Sequence, residues 1–254
     1  MTATTTAART HREPELLGQT VVVIGGSSGI GLATARSARA EGAEVILTGR
    51  HPGDALQRAA LDLDALSTAA FDANDPAELE RFFAGLPKGG VDHVMVTAGA
   101  PNYGRLLETK SDELRHALSD RLLLAVETAR NAVDTVRPGG TLLFMSAEEG
   151  HATAGTGSVL TVAAAFPTLT ANLALELAPV RVNLIAAGFV DTPLSASLLG
   201  SDIEKRREQL RATLPIGRVV GPADVAALAV HIMSNTALTG ATYTIDGGEQ
   251  LVSA

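Results

Sequence analysis

Cysteine and tryptophan are absent from this chain of 254 residues, and aromatic residues make up only 3% of it. Without cysteine, disulfide bonds, cysteine-ligated metal sites and a cysteine nucleophile are all excluded. Small aliphatic side chains must therefore fill the core, and a hydrophobic content of 46% is sufficient for that. The length is typical of one α/β domain of the larger kind.

Long apolar runs and an excess of positive charge are also absent. No window provides the ~20 apolar residues of a membrane helix without a charge or a helix breaker. Residues 1–15 are polar, so we expect a flexible tail there rather than a signal peptide. The net charge of −8 argues against nucleic acid or an anionic membrane as a partner. We therefore expect a cytoplasmic protein.

Metal-binding and hydrolase motifs are missing as well. The six histidines are scattered along the chain without an H-E-x-x-H pattern, at His11, His51, His93, His116, His151 and His231. No G-x-S-x-G motif marks a serine hydrolase. We expect neither a metal site nor a serine-hydrolase triad.

Apolar runs alternate with segments of helical periodicity. Strands are predicted at 20–25, 44–49, 67–72, 91–99, 139–147, 180–188 and 241–246, and helices at 29–43, 75–86, 110–136, within 158–178 and at 222–233. Nearly continuous apolar strands separated by helices are typical of a parallel sheet with helices on both faces. Right-handed crossovers then give a doubly wound α/β fold, with the polar segment 189–221 as a flap over the ligand edge.

A glycine-rich turn joins the first strand to the first helix. Gly25, Gly29 and Gly31 have the spacing G-x-x-x-G-x-G, which permits a tight turn and a close approach to a pyrophosphate. The free N–H groups and the positive dipole end of the following helix favour phosphate binding. The position after a strand and before a helix favours a nucleotide site over an ordinary turn.

Arg50 follows the second strand, where an NAD-binding site usually carries an acidic residue. An arginine there suits the 2′-phosphate of NADP(H), and Ser27 and Ser28 can add hydroxyl donors. The alternative is a solvated arginine at a strand end. We therefore predict NADP(H), rather than NAD(H), as the cofactor.

Together with other stretches, these features resemble the short-chain dehydrogenase/reductase superfamily from about residue 18 to 250. The matching stretches are "GGSSGIG", "FDANDP", "VTAG", "LALELAPVRVN", "GFVDTP", "IGRVVGPADVA" and "TGATYTIDGG". The resemblance implies a Rossmann-like seven-stranded parallel sheet in a single domain over 16–254. The predicted cofactor-binding residues of the turn after the first strand are Gly25, Ser27, Ser28, Gly29, Ile30 and Gly31. The resemblance implies an adenine contact at Asp72 and Ala73, a cofactor loop at Ala98 and Gly99, and contacts to the nicotinamide amide from the backbone around Gly188 to Val190 and from Thr192.

The catalytic residues that the family implies are only partly present. Ser146 matches the serine that fixes the substrate oxygen, but Val159 and Ala163 occupy the positions of the proton-donating tyrosine and of its lysine partner. Neither Tyr103 nor Tyr243 is followed by a lysine four residues later. The chain thus resembles a divergent branch that keeps the nucleotide half and lacks the Tyr-x-x-x-Lys pair.

The loop after the fifth strand offers a replacement proton donor, His151, since a histidine titrates near neutral pH. The alternative for His151 is a solvated loop residue, as it is for the neighbouring Glu148 and Glu149. Arg121 occupies the family's asparagine position, where it either binds a substrate carboxylate or phosphate or, as we favour, closes a salt bridge on its helix. Asp191 is expected to cap the flap helix.

The region 158–178 is apolar nearly all round, so one face can lie on the sheet while the other needs a partner chain. We predict a homodimer or homotetramer that forms through this helix and 113–136. Because proline disrupts helix interiors, Pro167 predicts that the helix starts near Phe166 or kinks there, with 157–165 following a different path.

Three functions remain open. The favoured one is an NADP(H)-dependent oxidoreductase that acts on a small carbonyl or alcohol substrate with an unusual proton donor. The second is an NADP(H)-binding pseudoenzyme that serves as a sensor or a silent partner. The third is a non-redox lyase or isomerase on the same scaffold. The intact cofactor-binding residues support the first function, and the absence of the Tyr-x-x-x-Lys pair supports the second.

Overall fold

A parallel sheet of seven strands forms the centre of the described part of the chain, which covers residues 15–148, 150 and 153–252 of the computed structural model. In chain order the strands are Thr20–Ile24 (β1), Glu44–Gly49 (β2), Ser67–Ala70 (β3), Val91–Val96 (β4), Val136–Ala147 (β5), Arg181–Ala187 (β6) and Thr242–Ile245 (β7). Their order across the sheet is β3-β2-β1-β4-β5-β6-β7. The predicted Rossmann-like, doubly wound sheet is therefore confirmed.

Helices cover both faces of this sheet. They are Gly29–Ala40 (α1), Asp54–Leu63 (α2), Pro76–Ala84 (α3), Ser111–Ala132 (α4), Gly157–Glu176 (α5), Pro193–Leu199 (α6), Ile203–Thr213 (α7), Pro222–Ser234 (α8) and Glu249–Val252 (α9). Side chains of α1, α2 and α8 share one apolar cluster with the strands, and those of α3, α4 and α5 share a second cluster. Two clusters on opposite faces explain why the central strands are apolar at consecutive positions.

The central strand β5 shows how the two faces are divided. Leu143 and Met145 belong to the cluster that includes α1 and α8, whereas Leu142 and Phe144 belong to the cluster of α4 and α5. Because successive side chains of a strand point to opposite faces, Ser146 lies on the same side as α4 and α5. The strand thus ends with a buried serine on the face that these two helices cover.

The predicted start of α3 is confirmed. Asp75 is the N-cap residue, and its carboxylate accepts hydrogen bonds from the N–H groups of Ala77 and Glu78 at 2.9 and 3.2 Å. Pro76 occupies the first helical position, where a missing N–H costs no hydrogen bond.

Helix α5 runs without interruption over Gly157–Glu176, with Pro167 in its interior. The predictions that it starts near Phe166 and that 157–165 follows a different path are therefore wrong, whereas a kink at this point stays a prediction. The proline removes one backbone hydrogen bond, but buried side chains before and after it hold the helix on the sheet. By length and composition alone α5 could cross a membrane, yet it packs against β5, β6 and α4 as a core helix does.

The segment 189–221, predicted to be a flap, contains α6, a short 3-10 turn and α7. A β-bridge between Val190 and Val220 joins its two ends, and the Asp191 N–H donates to the carbonyl of Val220 at 2.9 Å. The segment is thus a loop closed at its base, and its role over a substrate stays a prediction.

The start of α6 differs from the prediction for Asp191. Thr192 is the N-cap residue, and its hydroxyl accepts a hydrogen bond from the N–H of Ser195 at 3.2 Å. The Asp191 carboxylate instead accepts two hydrogen bonds from Arg207 of α7, at 2.7 and 2.9 Å. The prediction that Asp191 caps the helix is wrong, because a second helix of the segment supplies a cationic partner.

Candidate functional site

A cleft of about 1010 Å³ opens at the carboxyl ends of the central strands. It lies where β1 and β4 are neighbours, and the chain leaves these strands toward opposite ends of the sheet. Doubly wound sheets bind ligands at such a switch point. Nine of the predicted site residues line the cleft: Gly25, Ser28, Ile30, Gly31, Gly99, Ser146, Gly188, Val190 and Thr192.

Two glycines of the turn after β1, Gly25 and Gly31, have no room for a side chain. Gly25 has φ +95°, and a Cβ there would lie 2.7 Å from the Thr97 hydroxyl. A Cβ on Gly31 would lie 2.3 Å from the carbonyl oxygen of Gly25. The Thr97 hydroxyl donates to the carbonyls of Ile24 and Gly25, at 3.2 and 3.1 Å. Glycine is therefore required at both positions, and Thr97 supports the turn from β4, a role that the sequence did not reveal.

The N-terminus of α1 opens into this cleft. Ser28 is the N-cap residue, and its side chain makes no capping hydrogen bond to any described residue. The first turn of α1 contains no acidic side chain. Unused N–H groups at the positive end of a helix dipole suit a phosphate group. This geometry fits the pyrophosphate of a dinucleotide.

The end of β2 carries the cation of the predicted cofactor site. Arg50 is exposed and has no ion-pair partner among the described residues. The Ser27 hydroxyl lies 3.4 Å from the position that a Cβ on Gly49 would occupy, so Ser27 stands beside the residue that precedes Arg50. An arginine without an ion-pair partner among the described residues, next in the chain to a residue that contacts Ser27, suits a phosphate group at this edge of the site.

Asp72 and Ala73 follow β3, beside the end of β2. The Asp72 carboxylate accepts a hydrogen bond from the N–H of Asn74 at 3.0 Å, so this side chain shapes its own turn. Ala98 follows β4, and its N–H donates to the carbonyl of Ile24 at 3.1 Å. All three predicted residues lie at the carboxyl edge of the sheet but outside the walls of the cleft.

The opposite wall of the cleft is formed after β6 by Gly188, Val190 and Thr192. A Cβ on Gly188 would lie 2.8 Å from the Cβ of Asp246, so the backbone passes close to the end of β7. Thr192 lies 3.7 Å from the position of a Cβ on Gly29. The segment after β6 therefore approaches the first turn of α1 across the cleft.

Of the two predicted catalytic residues, Ser146 lies among the described residues. It is 6% exposed and lines both the cleft and a neighbouring cavity of about 620 Å³. Val159 of α5 also lines the second cavity, whereas Ala163 is buried. Helix α5 therefore brings an apolar side chain, and no acid, to this cavity. The other predicted catalytic residue, His151, lies outside the described residues, as does Glu149.

Arg121 of α4 lines both cavities with Ser146. Its Nη2 donates to the carbonyl of Met145 at 2.6 Å. Burial lowers the pKa of Arg121, and only the nearby Tyr103 opposes this effect. The favoured salt bridge on the helix is wrong, because no carboxylate of the described residues pairs with this guanidinium. The structure thus holds a cation beside the residue that precedes Ser146.

Glu148, two residues beyond Ser146, belongs to a group of three carboxyl groups. Burial raises the pKa of Glu148 to about 7, together with repulsion from Asp246 and Glu249 and a side-chain hydrogen bond to Asp246. This carboxyl group can hold or release a proton near neutral pH. The sequence showed only a loop carboxylate, because its two neighbours follow β7 at the far end of the chain.

Comparison with known proteins connects the whole chain to one group of enzymes. The protein-family model described as enoyl-(acyl carrier protein) reductase matches residues 24–250. The chain is 31% identical over 253 residues to the NADP-dependent (R)-specific alcohol dehydrogenase of Lentilactobacillus kefiri, covering 92% of this chain and 97% of that one. It is 29% identical over 239 residues to carbonyl reductase family member 4 of Danio rerio, covering 91% and 98%.

A solved structure is also similar to this chain over most of its length. The crystal structure of BdcA in complex with NADPH has a TM-score of 0.80 and 26% sequence identity, and the match covers 92% of this chain and 95% of that chain. The similarity therefore extends over nearly the full length of both proteins.

Proposed function

The chain belongs to the short-chain dehydrogenase/reductase family, and we propose that it is an NADP(H)-dependent oxidoreductase acting on a small carbonyl or alcohol substrate. Relatives named as an alcohol dehydrogenase and a carbonyl reductase support this type of reaction. One observation carries the proposal. The uncapped start of α1 opens into the cleft beside Gly25 and Gly31, which have no room for a side chain.

The residues at the carboxyl edge of the sheet fit a nicotinamide dinucleotide. The start of α1, with Ser28, would bind the pyrophosphate, and Arg50 with Ser27 would bind the 2′-phosphate of NADP(H). When bound, NADPH supplies the hydride for the carbonyl carbon. A relative named as NADP-dependent and a similar structure in complex with NADPH support this choice over NAD(H).

The chain itself must hold the carbonyl oxygen and supply a proton. The Ser146 hydroxyl, at the boundary of the two cavities, would donate a hydrogen bond to the carbonyl oxygen. No Tyr-x-x-x-Lys pair is present in the sequence. We assign the proton to His151, with the Glu148 carboxyl group or water as the alternative donor.

A second function is favoured by α5. Where the family's tyrosine and lysine would stand, this helix carries Val159 at the cavity and the buried Ala163. A site without these two groups can bind the dinucleotide and still reduce nothing. The alternative is therefore an NADP(H)-binding pseudoenzyme that acts as a sensor or a silent partner of an active relative.

We further propose a cytoplasmic homodimer or homotetramer that assembles through α4 and α5. On these helices and directly after α4, Leu123, Val133 and Leu175 are 55%, 57% and 80% exposed. A second copy packed on these faces would remove apolar surface from water, which is the main driving force of association.

Turnover tests the proposed function. The protein, saturated with NADPH, is offered a panel of small aldehydes and ketones while the loss of NADPH absorbance is followed. We expect reduction of some of these carbonyls. Ser146→Ala should lower the rate on the order of 10²-fold, because a hydrogen-bond donor to the developing oxyanion is lost. The matched control is Ser67→Ala, which removes an exposed hydroxyl on β3 and should leave the rate unchanged.

The remaining outcomes separate the two functions. Binding of NADPH without turnover on a broad panel would support the pseudoenzyme. Failure to bind either NADPH or NADH would contradict both proposals. If turnover occurs and His151→Ala does not slow it, the proton comes from another group.

A further inference from the structure

Arg121, which is half-buried, differs from the buried Arg181 in how its donors are used. Arg181 is 6% exposed, and its guanidinium donates to five carbonyl oxygens. These belong to Gly139, Ile232, Met233, Asn235 and Leu238. Arg121 donates to one carbonyl, that of Met145, at 2.6 Å. A guanidinium has several N–H donors, so most of those on Arg121 have no acceptor in the described part of the chain.

No carboxylate of the described residues neutralises the charge of Arg121 either. Asp120, the adjacent residue on α4, hydrogen-bonds to His116 at 3.2 Å instead. No other carboxylate of the described ranges lies within ion-pair distance of Arg121. Taking a cation out of water costs free energy unless an anion or a full set of hydrogen bonds compensates for it. Among the described residues, Arg121 therefore has no partner for most of its donors or for its charge, and it lines the two cavities.

We propose that Arg121 binds the carboxylate of an oxo acid whose carbonyl oxygen is held by Ser146. This inference rests on the proposed reductase function and narrows its substrate class. The carbonyl that Arg121 reaches belongs to the residue immediately before Ser146, and both side chains line the same two cavities. A ligand that meets both groups carries its carboxylate close to its carbonyl carbon, as a 2-oxo or 3-oxo acid does. The planar guanidinium matches a carboxylate with two parallel hydrogen bonds.

The reaction is the reduction of the oxo acid to the corresponding hydroxy acid. The carbonyl carbon gains a hydride from NADPH, which is oxidised to NADP⁺, and the carbonyl oxygen gains one proton from the donor assigned above. The carboxylate remains unchanged throughout. Because the guanidinium stands beside the reacting carbonyl, it also stabilises the negative charge that develops on the oxygen.

Calorimetric titration tests the carboxylate site without relying on turnover. The probes are 2-oxobutanoate, 3-oxobutanoate and the neutral butan-2-one, each titrated into protein saturated with NADP⁺. We expect the wild type to bind the acids more tightly than the ketone. Arg121→Gln should weaken binding of the acids by about 30-fold or more and leave NADP⁺ affinity unchanged. Arg115→Gln is the matched control, because Arg115 lies on the same helix, is exposed and pairs with Asp112; it should change neither affinity.

Thermal unfolding distinguishes binding from a structural role. Because Arg121 is poorly compensated without a ligand, Arg121→Gln should keep or raise the Tm of the unliganded protein. Addition of 2-oxobutanoate should raise the Tm of the wild type and not that of the variant. A loss of Tm in Arg121→Gln comparable to that in Arg181→Gln would assign Arg121 to the fold and overturn the proposal.

Other outcomes of these titrations support or overturn the carboxylate site at Arg121. Equal affinities of the wild type and Arg121→Gln for the acids, or equal affinities of the wild type for acid and ketone, would overturn the carboxylate site. A parallel loss of NADP⁺ affinity would place Arg121 on the phosphates of the cofactor, which overturns it too. Acid binding that depends on Arg121 without reduction of any oxo acid would support the site and contradict the reductase function. If NADP⁺ does not bind, the same titrations without cofactor decide between these outcomes.

Discussion

Glu148 stands among carboxyl groups that favour its protonated form. Burial, and then Asp246 and Glu249, raises its pKa from 4.5 to about 7. Since the pKa in the folded protein is above the unfolded value, Glu148 contributes stability below pH 4.5 that is lost as the pH rises through about 7. Glutamine lacks this titration. We therefore expect Glu148→Gln to gain stability over the wild type between about pH 5 and 8, on the order of 1 kcal/mol after screening by solvent.

Urea unfolding at several pH values measures this difference. Glu80→Gln, at an exposed glutamate of α3, is the matched control and should follow the wild type at each pH. A constant difference in unfolding free energy between Glu148→Gln and the wild type over this range would contradict the raised pKa.

Residues with local roles were predictable from the sequence, and residues with distant partners were not. Gly25 and Gly31 were identified correctly as turn residues, because the positive φ of Gly25 and the 2.3 Å approach of its carbonyl oxygen to a Cβ on Gly31 arise within the turn. The salt bridge expected for Arg121 was wrong, since its guanidinium crosses to β5 while His116 pairs with the neighbouring carboxylate. The cap expected at Asp191 was wrong for the same reason, because α7 supplies its partner.

At the scale of elements, strands were easier to predict than helices. Helix α2 was missed, although Leu56, Ala59 and Leu63 are buried at helical spacing, because the exposed Leu61 and the polar residues between them obscure that spacing. Helix α5 was interrupted in the prediction because of Pro167. Burial of the helix against the sheet outweighs the low helix propensity of proline at this position. The same packing buries Ala163.

Arg181 links β6 to the end of α8 through hydrogen bonds. Its guanidinium donates to the carbonyls of Ile232 and Met233 in the last turn of α8 and to the carbonyl of Asn235 just beyond the helix. Arg181→Gln should therefore destabilise the protein on the order of 3 kcal/mol in urea unfolding, because buried acceptors lose a charged donor. Arg211→Gln, at an exposed arginine of α7, is the control. An unfolding free energy equal to that of the wild type would show that water replaces Arg181.

At the scale of the whole molecule, the exposed apolar side chains of α4 and α5 predict self-association. Light scattering should give a mass of two or four chains of 26.1 kDa. Leu175→Glu, at a residue 80% exposed on α5, should lower that mass by placing charges in the interface. Leu61→Glu, at a residue 82% exposed on α2, should not. A wild-type mass equal to one chain would contradict the proposed assembly.

We propose above that the carboxyl edge of this sheet binds NADP(H) through the start of α1 and Arg50. Calorimetric titration of the wild type and of Arg50→Asp with NADPH and NADH tests it most directly, with Arg58→Asp on α2 as the matched charge reversal. We predict that the wild type binds NADPH about tenfold or more tightly than NADH. Arg50→Asp should lose this preference and keep its affinity for NADH, while Arg58→Asp keeps the preference. An unchanged preference in Arg50→Asp, or no binding of either dinucleotide by the wild type, would contradict the claim.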